Sequence, residues 1–232
     1  MSPLLSNIVL DELDKELERR GLEFCRFADD CNIFVRTQKA AERVMRSVGG
    51  YIEKRLKLVV NREKSQVARS DRVKFLGLTV VGATIAISRK ALQGAMVKVK
   101  ELTPRGTHLT LETSLERING WYTGWSSYFA LTYYPAQLHK IEAHIRRRLR
   151  SRLVDQQKSR RNLFNKLVKR GVPRRQAAGA AFSHQGRWAL SNTRAVTKAY
   201  PNGWFIGEMG QVIRSDKQLP HWFDVDRWIR LT

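Results

Sequence analysis

The sequence predicts an α+β fold: a first part that mixes short antiparallel hairpins with helices, and a second part that is all helical. Three observations carry that expectation. Apolar residues recur at helical spacing in several windows, the runs Phe24 to Val35 and Val73 to Ile87 have the aromatic and β-branched composition of strands, and strand signals nearly vanish after about residue 90. The 232 residues, 42% of them hydrophobic, suffice for one large domain or two small ones with a genuine core.

In chain order, Leu4, Leu5, Ile8, Val9, Leu13 and Leu17 mark a first helix, and Gly21 follows as its stop. Phe24 to Val35 then reads as two short strands turning at Asp29-Asp30. Ala41, Val44, Met45, Val48, Ile52 and Leu56 mark a second helix, and Val73 to Ile87, broken at Gly82, a second hairpin. The border between the two halves is expected near Ser88 to Glu101. Beyond it, Leu115, Ile118, Trp121, Tyr122, Trp125, Tyr128 and Phe129 form an aromatic stripe whose spacing is that of a buried helix face rather than a base-stacking platform. Leu138, Ile141, Ile145, Leu149 and Leu153 define the next helix, opened by Pro135. Leu163, Phe164, Leu167 and Val168 define another, stopped by Gly171 and Pro173.

Charge narrows the function. Lys plus Arg number 43 against 21 Asp plus Glu, a formal net charge of +22, which calls for a polyanionic partner. Between residues 144 and 187 the only acid is Asp155, so a nucleic-acid contact is expected from Arg146, Arg147, Arg148, Arg150 and Arg152 on one helix, Arg160, Arg161, Lys166, Lys169 and Arg170 on the next, and Arg174 and Arg175 beyond. On the first of these helices Arg146, Arg147 and Arg150 are expected opposite the apolar stripe, with Arg148 and Arg152 flanking it. No segment has the length of a membrane span and no secretory signal opens the chain, so a cytoplasmic protein is expected. Cys25 and Cys31 lack zinc-site spacing and are expected as buried thiols.

The chemically informative tetrapeptide is Phe27-Ala28-Asp29-Asp30. Two adjacent aspartates can simply form a turn. Their context points further: the tetrapeptide follows a helix containing Ser2-Pro3-Leu4-Leu5-Ser6-Asn7-Ile8 and precedes Asn61-Arg62-Glu63-Lys64-Ser65 and Lys74-Phe75-Leu76-Gly77. Together these four ordered blocks resemble the palm of a reverse transcriptase. Leu115-Glu116-Arg117-Ile118-Asn119-Gly120-Trp121, Gly124-Trp125, Tyr128-Phe129 and Ile145 to Arg150 resemble the thumb, or X, domain of the reverse transcriptase/maturases encoded by group II introns. Gly186-Arg187-Trp188, Leu190-Ser191 and Thr193 are similar to that family's closing segment.

The resemblance implies a partial palm over residues 1–88, a helical thumb/maturase domain over 89–182 and a carboxyl-terminal maturase segment over 183–232. It implies RNA-directed DNA polymerase and intron-splicing functions, with Asp29 and Asp30 as ligands of a two-magnesium site and Lys64 as a proton donor to pyrophosphate. Group II intron RNA is the implied partner, with a DNA target and primer/template in addition. A separate endonuclease region is not expected, because the last 50 residues lack paired cysteines and offer only His184 and His221. The family takes one further Asp from an earlier strand, which the resemblance places before Met1 together with the fingers. Asp11 and Asp14 lie on a helix behind the family's palm sheet and are not expected to replace it. The sequence therefore leaves three readings open: a polymerase whose amino-terminal half is supplied separately, a non-catalytic intron-RNA-binding maturase, and a generic basic RNA-binding protein.

Overall fold

A computed structural model of the protein describes residues 3–82, 84–104 and 106–216. Ser2, His221 and the rest of the closing stretch 217–232 lie outside the described residues. The chain divides into two compact units, the first reaching Thr84 and the second beginning at Ile85. Helix and strand are mixed, in the order α1 (Pro3–Arg19), β1 (Glu23–Phe27), β2 (Asp30–Phe34), α2 (Gln38–Lys54), a 3₁₀ turn (Ser70–Arg72), β3 (Leu78–Val81) and β4 (Thr84–Ile87). Then follow α3 (Arg89–Leu102), α4 (Leu111–Tyr128), α5 (Pro135–Asp155), α6 (Arg160–Lys169), α7 (Arg174–Ala181), α8 (Arg187–Leu190), α9 (Arg194–Ala199) and a π-helical turn (Trp204–Glu208). The strands form two two-stranded sheets, β1 with β2 and β3 with β4.

The ends of these helices follow from side-chain chemistry. Thr37, Ser88, Thr110, Ser159 and Thr193 each stand just before a helix and accept a hydrogen bond from an amide of its first turn. At the other end, Gly21 and Gly171 both adopt positive φ. The Gly21 amide donates to Glu18 O and the Leu22 amide to Leu17 O, and Gly171 and Val172 repeat the pattern on Val168 O and Leu167 O. Both predicted stops are thus Schellman caps, in which the left-handed glycine lets the chain fold back on the last free carbonyls.

In the first unit Leu10, Leu13 and Leu17 of α1 and Val48 of α2 form the buried centre, with Phe24, Cys31 and Ile33 of the hairpin packed against it. The expected stripe of α1 is displaced: Leu4, Leu5 and Ile8 are exposed, and the inward face begins at Leu10. Cys25 and Cys31 are half-buried free thiols rather than fully buried ones. Burial nevertheless pushes both up, Cys31 to about 11, so neither is a thiolate at neutral pH.

The second unit is built around α5. Ile141, Ile145 and Leu149 are fully buried among Leu115, Ile118 and Tyr122 of α4, Val99 of α3, Leu167 of α6 and Val196 of α9. The stretch read as the border between the halves folds as α3, whose Ala95 and Val99 point into this core. Of the aromatic stripe, Tyr122 and Phe129 are buried and Trp121 and Trp125 half-buried, whereas Tyr128 is exposed and meets Phe129 edge-on. Glu142, also buried, ties the segment after the π-helical turn to this core. Its Oε1 accepts from Tyr122 Oη (2.7 Å) and from the amide of Arg214 (2.6 Å), and its Oε2 from Ser215 Oγ (2.5 Å).

The arginines of α5 depart from the expected outward arc. Arg146, Arg150 and Arg152 are buried, and all five arginines donate to other elements. Arg148 donates to Thr103 Oγ1 (2.9 Å) and to the Thr103 carbonyl (2.6 Å) at the end of α3. Arg150 donates to the Tyr200 carbonyl (2.8 Å) and to Asn202 Oδ1 (2.7 Å), while Arg170, just after α6, donates to Ala199 O (3.1 Å). Arg152 bonds Ser114 Oγ and the Leu109 carbonyl, Arg147 the Trp188 carbonyl and Arg146 the Gln211 side chain. The physical reason is that α5 is wrapped by neighbours on most of its circumference, and a helix end that abuts it presents free carbonyls that a guanidinium fork satisfies. Burial pulls Arg150 down to about 10, which still leaves it charged at neutral pH.

Replacing Arg150 by Ala leaves the Tyr200 carbonyl and Asn202 without their donor and removes packing from Phe205. It is expected to destabilise the protein by about 2–4 kcal/mol in urea unfolding followed by circular dichroism. Arg174→Ala, on the exposed start of α7, should stay within about 0.5 kcal/mol of the parent.

Candidate functional site

The candidate functional residues gather in two places, one in each unit. In the first unit β1 and β2 pair antiparallel with Phe24 opposite Ile33, Arg26 opposite Cys31 and Phe27 opposite Asp30. Ala28 and Asp29 form the two-residue loop, with Ala28 at φ 53°. A left-handed alanine costs about 1 kcal/mol or more, so the surroundings must hold it there. Arg26 does so. Its Nη1 donates to the Ala28 carbonyl (2.9 Å) and to Asn7 Oδ1 (3.0 Å), while Nε and Nη2 fork onto the Asp14 carboxylate at 2.8 and 2.6 Å. One guanidinium therefore fastens the turn to α1.

Alternation along the strands puts Phe24, Arg26, Cys31 and Ile33 on the face toward α1, leaving Phe27 and Asp30 on the opposite face. Asp29 and Asp30 are both exposed, and among the described residues neither carboxylate has a hydrogen bond or ion pair. Asp14 is held by the partly buried Arg26 fork, and Asp11 pairs with Lys15 (2.6 Å) on the exposed face of α1. Lys64 is exposed in a turn whose amide is held by Asn61 Oδ1 (3.2 Å), and among the described residues no hydrogen bond or ion pair joins it to the hairpin.

Among the described residues no three His, Cys, Asp or Glu side chains gather as a metal cluster. The donor chemistry at the hairpin still fits magnesium. Two exposed, unpaired carboxylates are hard oxygen ligands, and this ion is commonly held by one or two protein carboxylates, with water and substrate phosphates completing its shell.

In the second unit the predicted basic residues separate into two groups. The arginines of α5 and Arg170 are held by backbone and side-chain acceptors, Arg170 lying over the Tyr200 and Trp204 rings at 4.4 and 4.5 Å. Arg160, Arg161, Lys166, Lys169, Arg174 and Arg175 are exposed on α6 and α7, and among the described residues none pairs with a carboxylate. Asp155, the lone acid of the block, is taken by Arg187. Sequence reading missed Arg26 and Glu142. A charged residue inside an aromatic strand, and a carboxylate between Ile141 and Ile145 on a buried helix, were the available signals.

Adjacent exposed carboxylates on a hairpin in one unit and unpaired exposed cations in the other give the charge layout of a protein that meets a polyanion. The reverse transcriptase (RNA-dependent DNA polymerase) family model matches residues 1–80, and the group II intron, maturase-specific domain model matches residues 92–171. The chain belongs to the group II intron reverse transcriptase/maturase family. No match was found among curated proteins. Among the described residues, no helix is long and apolar enough to cross a membrane.

The clamp role of Arg26 predicts a contrast within the hairpin. Arg26→Ala should speed hydrogen exchange of the β1 and β2 amides, corresponding to a loss of about 2–3 kcal/mol, because it strands the Asp14 carboxylate and frees the Ala28 carbonyl. Asp29→Ala and Asp30→Ala should leave the same amides within about 0.5 kcal/mol of the parent.

Proposed function

We propose that the α6–α7 face grips intron RNA and that the β1–β2 hairpin supplies carboxylates to a polymerase site. In this reading residues 1–88 form part of a palm, 89–182 a thumb/maturase domain and 183–232 the end of the maturase region. The observation that carries the RNA contact is the placement of Arg160 and Arg161 in the first turn of α6 and of Arg174 and Arg175 in that of α7, with no acid in either turn. Cations there oppose the helix dipole at a cost of about 0.3–1 kcal/mol each, so folding does not favour them. At each helix start their charge adds to the partial positive charge of the helix dipole, which suits phosphate oxygens. Lys166 and Lys169, near the end of α6, are both exposed.

Asp29 and Asp30 would hold magnesium, which when bound polarises phosphoryl oxygens and offsets the charge of an incoming triphosphate. The chain's own part is positional: Arg26 fixes the turn, and the strand register turns Asp30 away from the hydrophobic core. Lys64 is the candidate proton donor to departing pyrophosphate, and a primer/template and a DNA target are the partners this chemistry requires.

Filter binding to a group II intron transcript tests the reading. Changing Arg160, Arg161, Arg174 and Arg175 to Ala should weaken binding and flatten the slope of log K against log salt by about 0.7–0.9 per lost contact. Thermal stability should hold or rise. Asp29→Ala with Asp30→Ala should leave RNA affinity unchanged or slightly tighter without magnesium, and primer extension on the same preparations separates polymerase function from RNA binding alone. Unchanged affinity and slope in the fourfold arginine variant would remove the α6–α7 face from RNA recognition.

A further inference from the structure

A concave groove of about 590 Å³ opens beside α5, within the second unit. Lys140, Ala143, His144, Arg147 and Arg150 follow one another along α5 at steps of three, one, three and three, so one stripe of that helix forms a wall of the groove. Arg146 adds a further cation, Asn192 and Asn202 stand among the other lining groups, and no carboxylate lines the groove. Four permanent cations thus share one concavity. Among the described residues none of the four makes an ion pair, and the Nε atoms of Arg146 and Arg147 lack any hydrogen-bond partner. Arg146 is only 3% exposed and is attracted by the nearby Glu142 and Asp216, whereas no acid among the lining residues answers Lys140, Arg147 and Arg150.

A concavity lined by one sign of charge concentrates the opposite sign. We propose that this groove is a phosphate-binding site that seats a backbone phosphodiester of bound RNA, with Lys140 and Arg147 as direct contacts and Arg146 and Arg150 as fixed charges behind them. The inference rests on the RNA-binding reading above and adds a second, recessed contact to it. Arg147 is pre-positioned for this role by Trp188, whose ring lies 4.1 Å beneath its guanidinium and whose carbonyl accepts from Nη2. His144, held below its ordinary pKa by burial and by Arg148 and Arg147, is a neutral ring at pH 7 that reports on the groove. The volume falls within the range of small-ligand sites, roughly 300–1,000 Å³. A smaller groove near α6 differs in the decisive respect, because Asp155 lines it and pairs with Arg187 there.

The test uses the full chain and a group II intron transcript. Lys140→Met with Arg147→Met, which keeps both aliphatic stems, should lower RNA affinity about tenfold per contact near 0.1 M salt and reduce the salt slope by one to two units. Lys140→Glu alone, at an exposed position, should weaken binding at least as much as one lost contact and serves if the double variant misfolds by circular dichroism. RNA should shift the His144 ring signals in the parent and not in the variant. Unchanged affinity in these variants, with loss in the α6–α7 fourfold variant, would overturn the groove and leave the RNA-binding reading standing. No binding by the parent would overturn both. His144 shifts produced by inorganic phosphate but not by RNA would make the groove a free-anion site and overturn its assignment to RNA.

Discussion

The second unit depends on one constraint: a helix buried on most sides that nevertheless carries five arginines. A guanidinium taken out of water must find acceptors, and in α5 these are carbonyls and side chains presented by the ends of its neighbours. Thr103 at the end of α3, Trp188 of α8 and Tyr200 at the end of α9 are each fixed this way. The same bonds that satisfy the arginines tie α3, α8 and α9 to α5. Glu142 does the complementary work with one buried carboxylate, which gathers donors from α4 and from the segment around Arg214.

This arrangement divides positive charge into three kinds. Arg148 and Arg152 are spent on structure. Arg160, Arg161, Arg174 and Arg175 stand at helix starts where they contribute least to stability and most to an external field. Arg146 and Arg150 are intermediate: they are anchored to Gln211, Tyr200 and Asn202, yet they line a groove in which, among the described residues, no acid takes part. A chain with formal charge +22 thus uses its cations both as internal fasteners and as an outward attraction for a polyanion.

The hairpin of the first unit shows the opposite sign handled by the same residue type. Arg26 neutralises Asp14 and holds the left-handed Ala28, so that among the described residues Asp29 and Asp30 project without partners of their own. Carboxylates left unpaired beside an arginine already engaged elsewhere are open to a hard cation. The strain at Ala28 is local and is balanced by bonds to α1, which is how an exposed turn acquires a defined shape.

By itself the sequence determined the helix stops at Gly21 and Gly171, the positions of both hairpins, the aromatic and aliphatic core of α4 and α5, and the ordered motifs that mark the family. These are legible because they rest on local backbone geometry and on periodicity, which a linear string records. The tertiary structure alone decided which basic residues face outward. On a helical wheel Arg146 and Arg150 look like members of a solvent face, but a wheel assumes one buried side, and α5 is enclosed on several. Likewise Leu4 and Ile8 continue the apolar spacing of α1 but have no neighbour to cover them among the described residues, while the fork from Arg26 to Asp14 joins residues twelve apart. Burial and pairing are properties of what lies opposite a side chain, and that partner is fixed only when the elements pack.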